Sequence, residues 1–346
     1  MGAARIRSAL AGFATESLLE GVTPIQRLSR LEAALGAAAG GVRIFVKRDD
    51  LMGLGGGGNK LRKLEFLLGE AKAQGCDTFI TTGALQSNHA RLSAAASARA
   101  GLACELVLRS VVPRDDADYL HSGNQLLDPL FGARVHRLPG DADAMAFADA
   151  RAADLRGEGR RAYVVGAGGS SSVGCLGYAV CAAEILEQEA ALGFRFARIV
   201  VANGSSGTHA GLAAGMVLAD EPARRVQSYT VLAPLDVAMA ATGALADATL
   251  VGLGAAPLAE PPEIDGSQLG DGYGIPTTAM LHAVRLMART EGLLLDPVYS
   301  GKAFAGLLAA VRQGHYAPGD AVLFVMTGGT PGLYAYRSIF EEEEAA

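Results

Sequence analysis

Short apolar runs that end in small or polar residues recur along the chain, and stretches with helical spacing follow them. VRIFVKRDD reads as a strand running into a polar end. The next segment, KLRKLEFLLGEAKAQG, places Leu61, Leu64, Leu68 and Ala71 on one helical stripe. DTFITT is a further strand, GALQSNH a loop and ARLSAAASARAG a helix. LACELVLRS reads as a strand, and NQLLDPLFGARVHRL as a helix and strand split by a turn. The unit returns at RAYVVGAGGSSSVGCLGYAVCAAEILEQ, at FARIVVANGSSGTHAGLAAGMVLA and at AVLFVMTGGTPGLYAYRSIF. A strand, a turn of small residues and a helix, used repeatedly, predict an α/β fold of parallel sheets covered by helices. Ligands of such sheets bind at the carboxyl ends of the strands, where these small-residue loops fall. APLAEPPEIDGSQLGDGYGIPTTAM, rich in Pro and Gly, is expected to be an ordered excursion.

Composition narrows the functional classes. With 346 residues and 50% hydrophobic content, the chain can bury a large core and is expected to form two domains. The formal charge is −6 and no basic tract is dense enough to track a phosphate backbone, so no nucleic-acid partner is expected. Four cysteines without metal-type pairing read as reduced, buried thiols of a cytoplasmic protein. The six histidines show no metal-ligand spacing, and no metal site is expected. The N-terminal segment lacks a signal-peptide pattern, and no stretch reads as a membrane span.

Three loops carry the candidate chemistry. Gly53, Gly55 and Gly58 match the dinucleotide fingerprint G-x-G-x-x-G, but KRDDLM stands between the strand and the glycines, which counts against a nicotinamide-dependent oxidoreductase. In NGSSGTHAG, residues Gly204, Ser205, Ser206, Gly207 and Thr208 follow an apolar strand and open a helix. They can turn backbone N–H groups and hydroxyls toward one anion. No Gly-Lys-Ser/Thr follows, so the cup suits a phosphate monoester; a plain glycine-lined turn is the alternative. In TGALQSNHARLS, Ser87 or Asn88 can cap the next helix, and Gln86, Ser87, Asn88 and His89 together exceed what a cap requires, as a carboxylate seat would.

Lys60 lies at the mouth of a helix, where the helix field repels a cation, with Asn59 at the N-cap position and Lys63 one turn on. That field favours a neutral amine. Lys302, in another glycine-bracketed turn, is its rival. Tyr273 in DGYGIP and Tyr299 in DPVYSGKA are either buried aromatics or site residues. A helix-mouth lysine beside a monophosphate cup suggests pyridoxal 5′-phosphate, which needs an amine, an anion cup and a seat for the substrate carboxylate.

GGNKLRKLEFLLGEAKAQGCDTFITTGALQSNHARLSAAA, NGSSGTHAGL, GYGIP, LLLDPVYSGKA and TGGTPGLYAY resemble, in order and over nearly the whole chain, the D-cysteine desulfhydrase and 1-aminocyclopropane-1-carboxylate (ACC) deaminase family. That family belongs to the tryptophan-synthase β-like, fold type II pyridoxal-phosphate enzymes. The resemblance implies two open, twisted, mostly parallel sheets. The large domain would comprise residues 1–59 and 169–346, and the smaller one residues 60–168. It implies Lys60 as the lysine that carries the cofactor and removes the α-proton. Asn59, Asn88, residues 204–208, Ser300 and Thr327 would contact the cofactor. Ser87, Asn88, His89, Tyr273 and Tyr299 would meet an amino-acid substrate, with Ser87 and the tyrosines as catalytic candidates. A homodimer is also implied.

ACC deaminases of this family carry a glutamate after the tyrosine of DPVY, where this chain has Ser300. A hydroxyl facing the pyridine nitrogen leaves the ring neutral, which suits loss of a good leaving group better than opening a cyclopropane. The expected reaction is therefore α,β-elimination from D-cysteine to pyruvate, hydrogen sulfide and ammonia. Elimination of sulfite from L-cysteate, ACC deamination and a non-catalytic amino-acid sensor are the alternatives.

Overall fold

The computed structural model describes residues 2–341, so the outermost residues of the expected large domain lie outside it. Ten strands occur among the described residues. They are β1 (Ile25–Arg27), β2 (Arg43–Lys47), β3 (Thr78–Ala84), β4 (Ala103–Arg109), β5 (Arg134–Leu138), β6 (Ala162–Val165), β7 (Arg198–Asn203), β8 (Val226–Thr230), β9 (Glu263–Asp265) and β10 (Ala321–Val325). They form two sheets. One has the order β1-β2-β10-β7-β8-β9 and is parallel except for β1, which runs antiparallel to β2; the other has the order β5-β4-β3-β6 and is parallel throughout. The fold is thus the α/β arrangement of two mostly parallel, helix-flanked sheets expected from the sequence.

The larger sheet is buried on both faces, which is why its central strands read as unbroken apolar runs. Alternate residues of β10 point to opposite sides. Val322 and Phe324 pack with Ile44, Val46, Met280, Phe304 and Leu307, whereas Leu323 and Val325 pack with Phe45, Ile199, Tyr178, Leu212 and Met216. The smaller sheet is covered by the helices Lys60–Ala73 and Asn88–Ala100 on one side, where Phe79 meets Leu64, Leu68 and Leu92. On the other, Ile80 and Val107 meet Ala148 and Leu155 of the helix Ala144–Gly157.

The helix Lys60–Ala73 differs from its expected one-sided stripe. Leu61, Leu64, Leu68 and Ala71 are buried, but so are Arg62, Lys63, Phe66 and Leu67. It is a central helix, and Gly177 of the helix Ser172–Leu192 lets the two backbones touch: a Cβ there would lie 2.0 Å from the Arg62 carbonyl oxygen. Arg62 tolerates burial because its guanidinium donates to Asp49 at 2.9 Å and to Glu184 at 2.8 Å.

One expectation needs correction. The helix Leu235–Gly252, with mean hydropathy 1.3, is long and apolar enough to cross a membrane by length and composition, and 28% of it is buried. Its alanine-rich sequence hid that length behind scattered polar residues. The excursion after it supplies the short edge strand β9, which its Pro and Gly content masked.

Candidate active site

Loops from the carboxyl ends of strands in both sheets enclose one cavity of about 300 Å³. Asn59 and Lys60 follow β2; Ser87, Asn88 and His89 follow β3; Arg109 ends β4, with Val111 just beyond. Gly168 follows β6, Gly204 to Ser206 and Thr208 follow β7, Tyr273 follows β9 and Thr327 follows β10, while Tyr299 precedes the helix Ser300–Arg312. Residues far apart in sequence therefore meet because the loops that carry them leave the same ends of the strands.

Lys60 is the first residue of its helix and half-buried on the cavity wall. Burial holds its amine well below the ordinary lysine value, and the Lys63 charge pushes the same way against the opposing pull of Asp296 and Cys175. Sequence pointed to the helix field and Lys63; removal from water is the larger cause. Asn59 occupies the N-cap position but has helical backbone angles and makes no side-chain cap, so that expectation is corrected. Its amide donates to Thr208 Oγ1 at 3.3 Å, and its backbone N–H to the Thr327 carbonyl at 3.0 Å. Both bonds tie the lysine-bearing helix to the loop at residues 204–208 and to the end of β10.

The fingerprint-like glycines are no strand-to-helix turn. Gly55, Gly56, Gly57 and Gly58 all have positive φ, and Arg91 donates to the carbonyls of Gly55 (2.6 Å) and Gly57 (3.0 Å). The loop is an anchored approach to Lys60.

Gly204, Ser205, Ser206 and Thr208 reach the cavity, and Gly207 lies behind. Ser206 takes φ 66°, unusual for a residue with a Cβ, and turns the chain into the helix Gly207–Leu218. Lys63 stands behind this cup. Its Nζ donates to the Gly168 carbonyl and to Ser170 Oγ, both at 3.0 Å, and Ser170 donates to Ser205 Oγ at 2.8 Å. A Cβ on Gly207 would sit 2.5 Å from that Nζ. Sequence reading took the cup to be lysine-free. The loop itself is, but a buried lysine reaches it from a helix begun far upstream, and the one-turn spacing from Lys60 was its only signal.

Ser87 caps the helix Asn88–Ala100, accepting from the Ala90 N–H at 3.1 Å. Asn88 Oδ1 accepts from Asn124 Nδ2 at 3.0 Å, which fixes its amide. Gln86 turns away and donates to the carbonyls of Tyr119 and Ser122. His89 is buried with Nε2 2.9 Å from Thr81 Oγ1, while its Nδ1 has no partner. Burial, then the charges of Lys60 and Lys63, hold it far below the ordinary histidine value and keep it neutral.

The Tyr273 and Tyr299 hydroxyls are hydrogen-bonded to each other. Ser300, expected at the cofactor, does not reach the cavity: it is fully buried and its hydroxyl donates to Asp296 Oδ1 at 2.6 Å. Asp296 also accepts from the N–H groups of Val298, Tyr299 and Ser300 and so orders the segment that presents Tyr299. Sequence reading passed over it. Lys302 is also fully buried and off the wall. It donates to the carbonyls of Leu269 (2.7 Å) and Gly272 (3.0 Å) and braces the turn that carries Tyr273, which removes it as a rival to Lys60. Arg109 was not singled out by sequence because nothing adjacent marks it.

Known proteins match this architecture. The family described as pyridoxal-phosphate dependent enzyme matches residues 16–328. The D-cysteine desulfhydrase of Serratia proteamaculans (strain 568) is 40% identical over 332 residues, covering 96% of this chain and 98% of that protein. The D-cysteine desulfhydrase of Yersinia pestis (strain Pestoides F) is 41% identical over 333 residues, with coverages of 96% and 98%. A crystal structure of an ACC deaminase homologue is 36% identical and superposes with a TM-score of 0.87 over 98% of both chains. A pyridoxal 5′-phosphate-dependent aspartate racemase, 15% identical with a TM-score of 0.62 over 95% of this chain and 94% of its own, shares the fold alone.

Proposed function

The chain belongs to the pyridoxal-phosphate-dependent enzymes, and on that premise we propose that it is a D-cysteine desulfhydrase, converting D-cysteine and water to pyruvate, hydrogen sulfide and ammonia. The observation that carries this reading is the half-buried Lys60 amine, held toward its neutral form on the wall of the cavity that the paired tyrosines Tyr273 and Tyr299 also line.

The cavity residues fit the cofactor. The loop of residues 204–208 backed by Lys63 is an anion cup, and a Cβ on Gly168 would lie 1.9 Å from Ser205 Oγ, so side chains are excluded there. In this reading Lys60 holds the cofactor through its aldehyde, and residues 204–208 with Lys63 hold its phosphate. Asn88, Asn59 and Thr327 would hold its ring, while Ser300, through Asp296, orders the segment that presents Tyr299. Bound pyridoxal phosphate supplies an electron sink that weakens the Cα–H bond of an attached amino acid.

The protein's own groups do the rest. The N-terminus of the helix Asn88–Ala100, with Ser87 and Asn88, seats the substrate carboxylate. Neutral Lys60 takes the α-proton. His89, neutral and buried, shapes the floor without competing for that proton. The tyrosine pair keeps both its protons at working pH and can hand one to the departing sulfur. The division into residues 1–59 with 169–346 and residues 60–168, a cytoplasmic location and a homodimer are part of the same proposal. The exposed apolar side of the helix Leu235–Gly252 supports the dimer, since a second copy would remove it from water.

The test is pyruvate and sulfide release from D-cysteine by the purified yellow protein. Borohydride is expected to fix the cofactor to Lys60, with peptide mapping to locate it. A Lys60→Ala variant with normal turnover, or ACC consumed faster than D-cysteine, overturns the reading.

A further inference from the structure

Asn124 opens the helix Asn124–Leu130 and is fully buried behind the loop that carries Ser87 and Asn88. Gly123 before it takes φ 58°, and a Cβ there would lie 2.9 Å from Gln86 Oε1, so glycine lets the backbone come close to that loop. The Asn124 N–H donates to Gln86 Oε1 at 2.9 Å. Its Nδ2 donates to the Gln86 carbonyl and to Asn88 Oδ1, both at 3.0 Å.

Backbone groups that can only accept dictate these orientations. Gln86 Nε2 faces the carbonyls of Tyr119 and Ser122, which leaves Oε1 toward the Asn124 N–H. The Gln86 carbonyl in turn decides which end of the Asn124 amide faces the loop. Reversing that amide would set two acceptors against each other, and it is held this way although its Oδ1 is left buried without a partner. Nδ2 therefore meets Asn88, and the Asn88 atom it meets is the oxygen. Asn88 Nδ2 is the end turned away, toward the loop after β10, where a Cβ on Gly329 would lie 2.6 Å from it. Among the described residues no group accepts from that Nδ2, and Asn88 lines the cavity.

We infer that Asn124 is a positioning residue, which holds the Asn88 amide so that its N–H groups, and not its carbonyl, face the cofactor ring. The inference rests on the pyridoxal-phosphate reading above and deepens it. The ring of that cofactor carries an oxygen beside the carbon that Lys60 would hold, and this oxygen and the lysine nitrogen share a proton. A donor on the oxygen stabilises its anionic form and lets the shared proton leave at lower pH. A carbonyl turned to the same oxygen does the reverse. Asn124 touches neither cofactor nor substrate in this reading; it acts through Asn88.

The experiment titrates the yellow band of the holoenzyme with pH and measures pyridoxal phosphate binding by the apoprotein. It uses wild type, Asn124→Asp, Asn124→Ala, and each of these three combined with Asn88→Ala. An ionised carboxylate at position 124 accepts from Asn88 and cannot donate to it, so Asn124→Asp reverses the Asn88 amide. The pH at which half the yellow band is lost is then expected to rise by about 1, and cofactor affinity to fall about tenfold. Asn124→Ala keeps the backbone bond to Gln86 and frees the Asn88 amide, so a smaller shift in the same direction is expected. In the Asn88→Ala background neither change at Asn124 should move the band further, which separates orientation of Asn88 from support of the fold. The inference is overturned if both Asn124 variants keep the wild-type band and affinity, or if their shifts are as large without the Asn88 amide as with it. A protein that stays colourless with added pyridoxal phosphate rejects the cofactor reading, and the inference with it.

Discussion

The hydroxyl oxygens of Tyr273 and Tyr299 lie 2.6 Å apart, with ring centroids 5.9 Å apart at an interplanar angle of 59°. Burial raises both phenols above their ordinary value; the contact with Tyr299 raises Tyr273 further, whereas the hydrogen bond with Tyr273 works against the rise on Tyr299. Only one proton is needed between the two oxygens, so the second can face the cavity. Tyr273→Phe and Tyr299→Phe are each expected to lower kcat for sulfide release by roughly 10²-fold, the scale of positioned proton transfer. The double variant should cost little more than either single one, because the pair acts as a unit. Additive losses measured by steady-state kinetics would show that the rings act separately.

Lys63 links cofactor binding to pH. Burial pushes its amine down to about 8, against 10.5 when exposed. A lysine lowered on folding costs stability while charged, so the cost is full below pH 8 and fades as pH rises toward 10.5. Without an anion in the cup, stability should therefore climb by about 3 kcal/mol across that window. An anion beside Nζ reverses the shift, so phosphate or cofactor binding by the apoprotein should take up a proton above pH 8. Calorimetry in buffers of different ionisation enthalpy measures that proton. Lys63→Gln should abolish the uptake and weaken cofactor binding at least about tenfold.

Gly168 tests whether the cup tolerates a side chain. Its φ is 73°, and an added Cβ would lie 1.9 Å from Ser205 Oγ and 2.7 Å from Ser205 Cβ. Gly168→Ala is expected to displace Ser205 and cut cofactor affinity while the far-ultraviolet circular dichroism stays native. Gly157→Ala is the control: the site closes a helix, has open space around it and has no positive φ. Gains of about 0.4–1 kcal/mol are usual for such changes, and cofactor binding should not move.

Arg62 holds the lysine-bearing helix to the larger sheet through Asp49 and Glu184, all three nearly or fully buried. Burial works to raise the Asp49 carboxyl, yet the Arg62 charge and hydrogen bonds outweigh it and leave the value lowered. That stabilisation is present above the ordinary Asp range and is lost as pH falls through it. Arg62→Met is expected to cost about 3–5 kcal/mol in denaturant unfolding at neutral pH, since it leaves Asp49 buried without its partner. Arg62→Lys should recover part of this. A loss below about 1 kcal/mol would mean that the carboxylates find other partners.

The repeated strand, small-residue turn and helix are local patterns, so the α/β class and the placing of ligand loops at strand ends were legible in the sequence by itself. So was the placing of Lys60, of residues 204–208 and of Ser87 with Asn88 at helix starts, because the residues that open a helix are adjacent in sequence. Tertiary structure decided what depends on approach from elsewhere. It brought Lys63 behind the cup and set Lys302 under the Tyr273 turn. It turned Ser300 onto Asp296, and placed Arg109 on the wall without a counter-ion. Helical spacing tells which residues share a face. It cannot tell what covers that face, and for a buried charge the covering groups settle whether it stays ionised, what it binds and whether it can act.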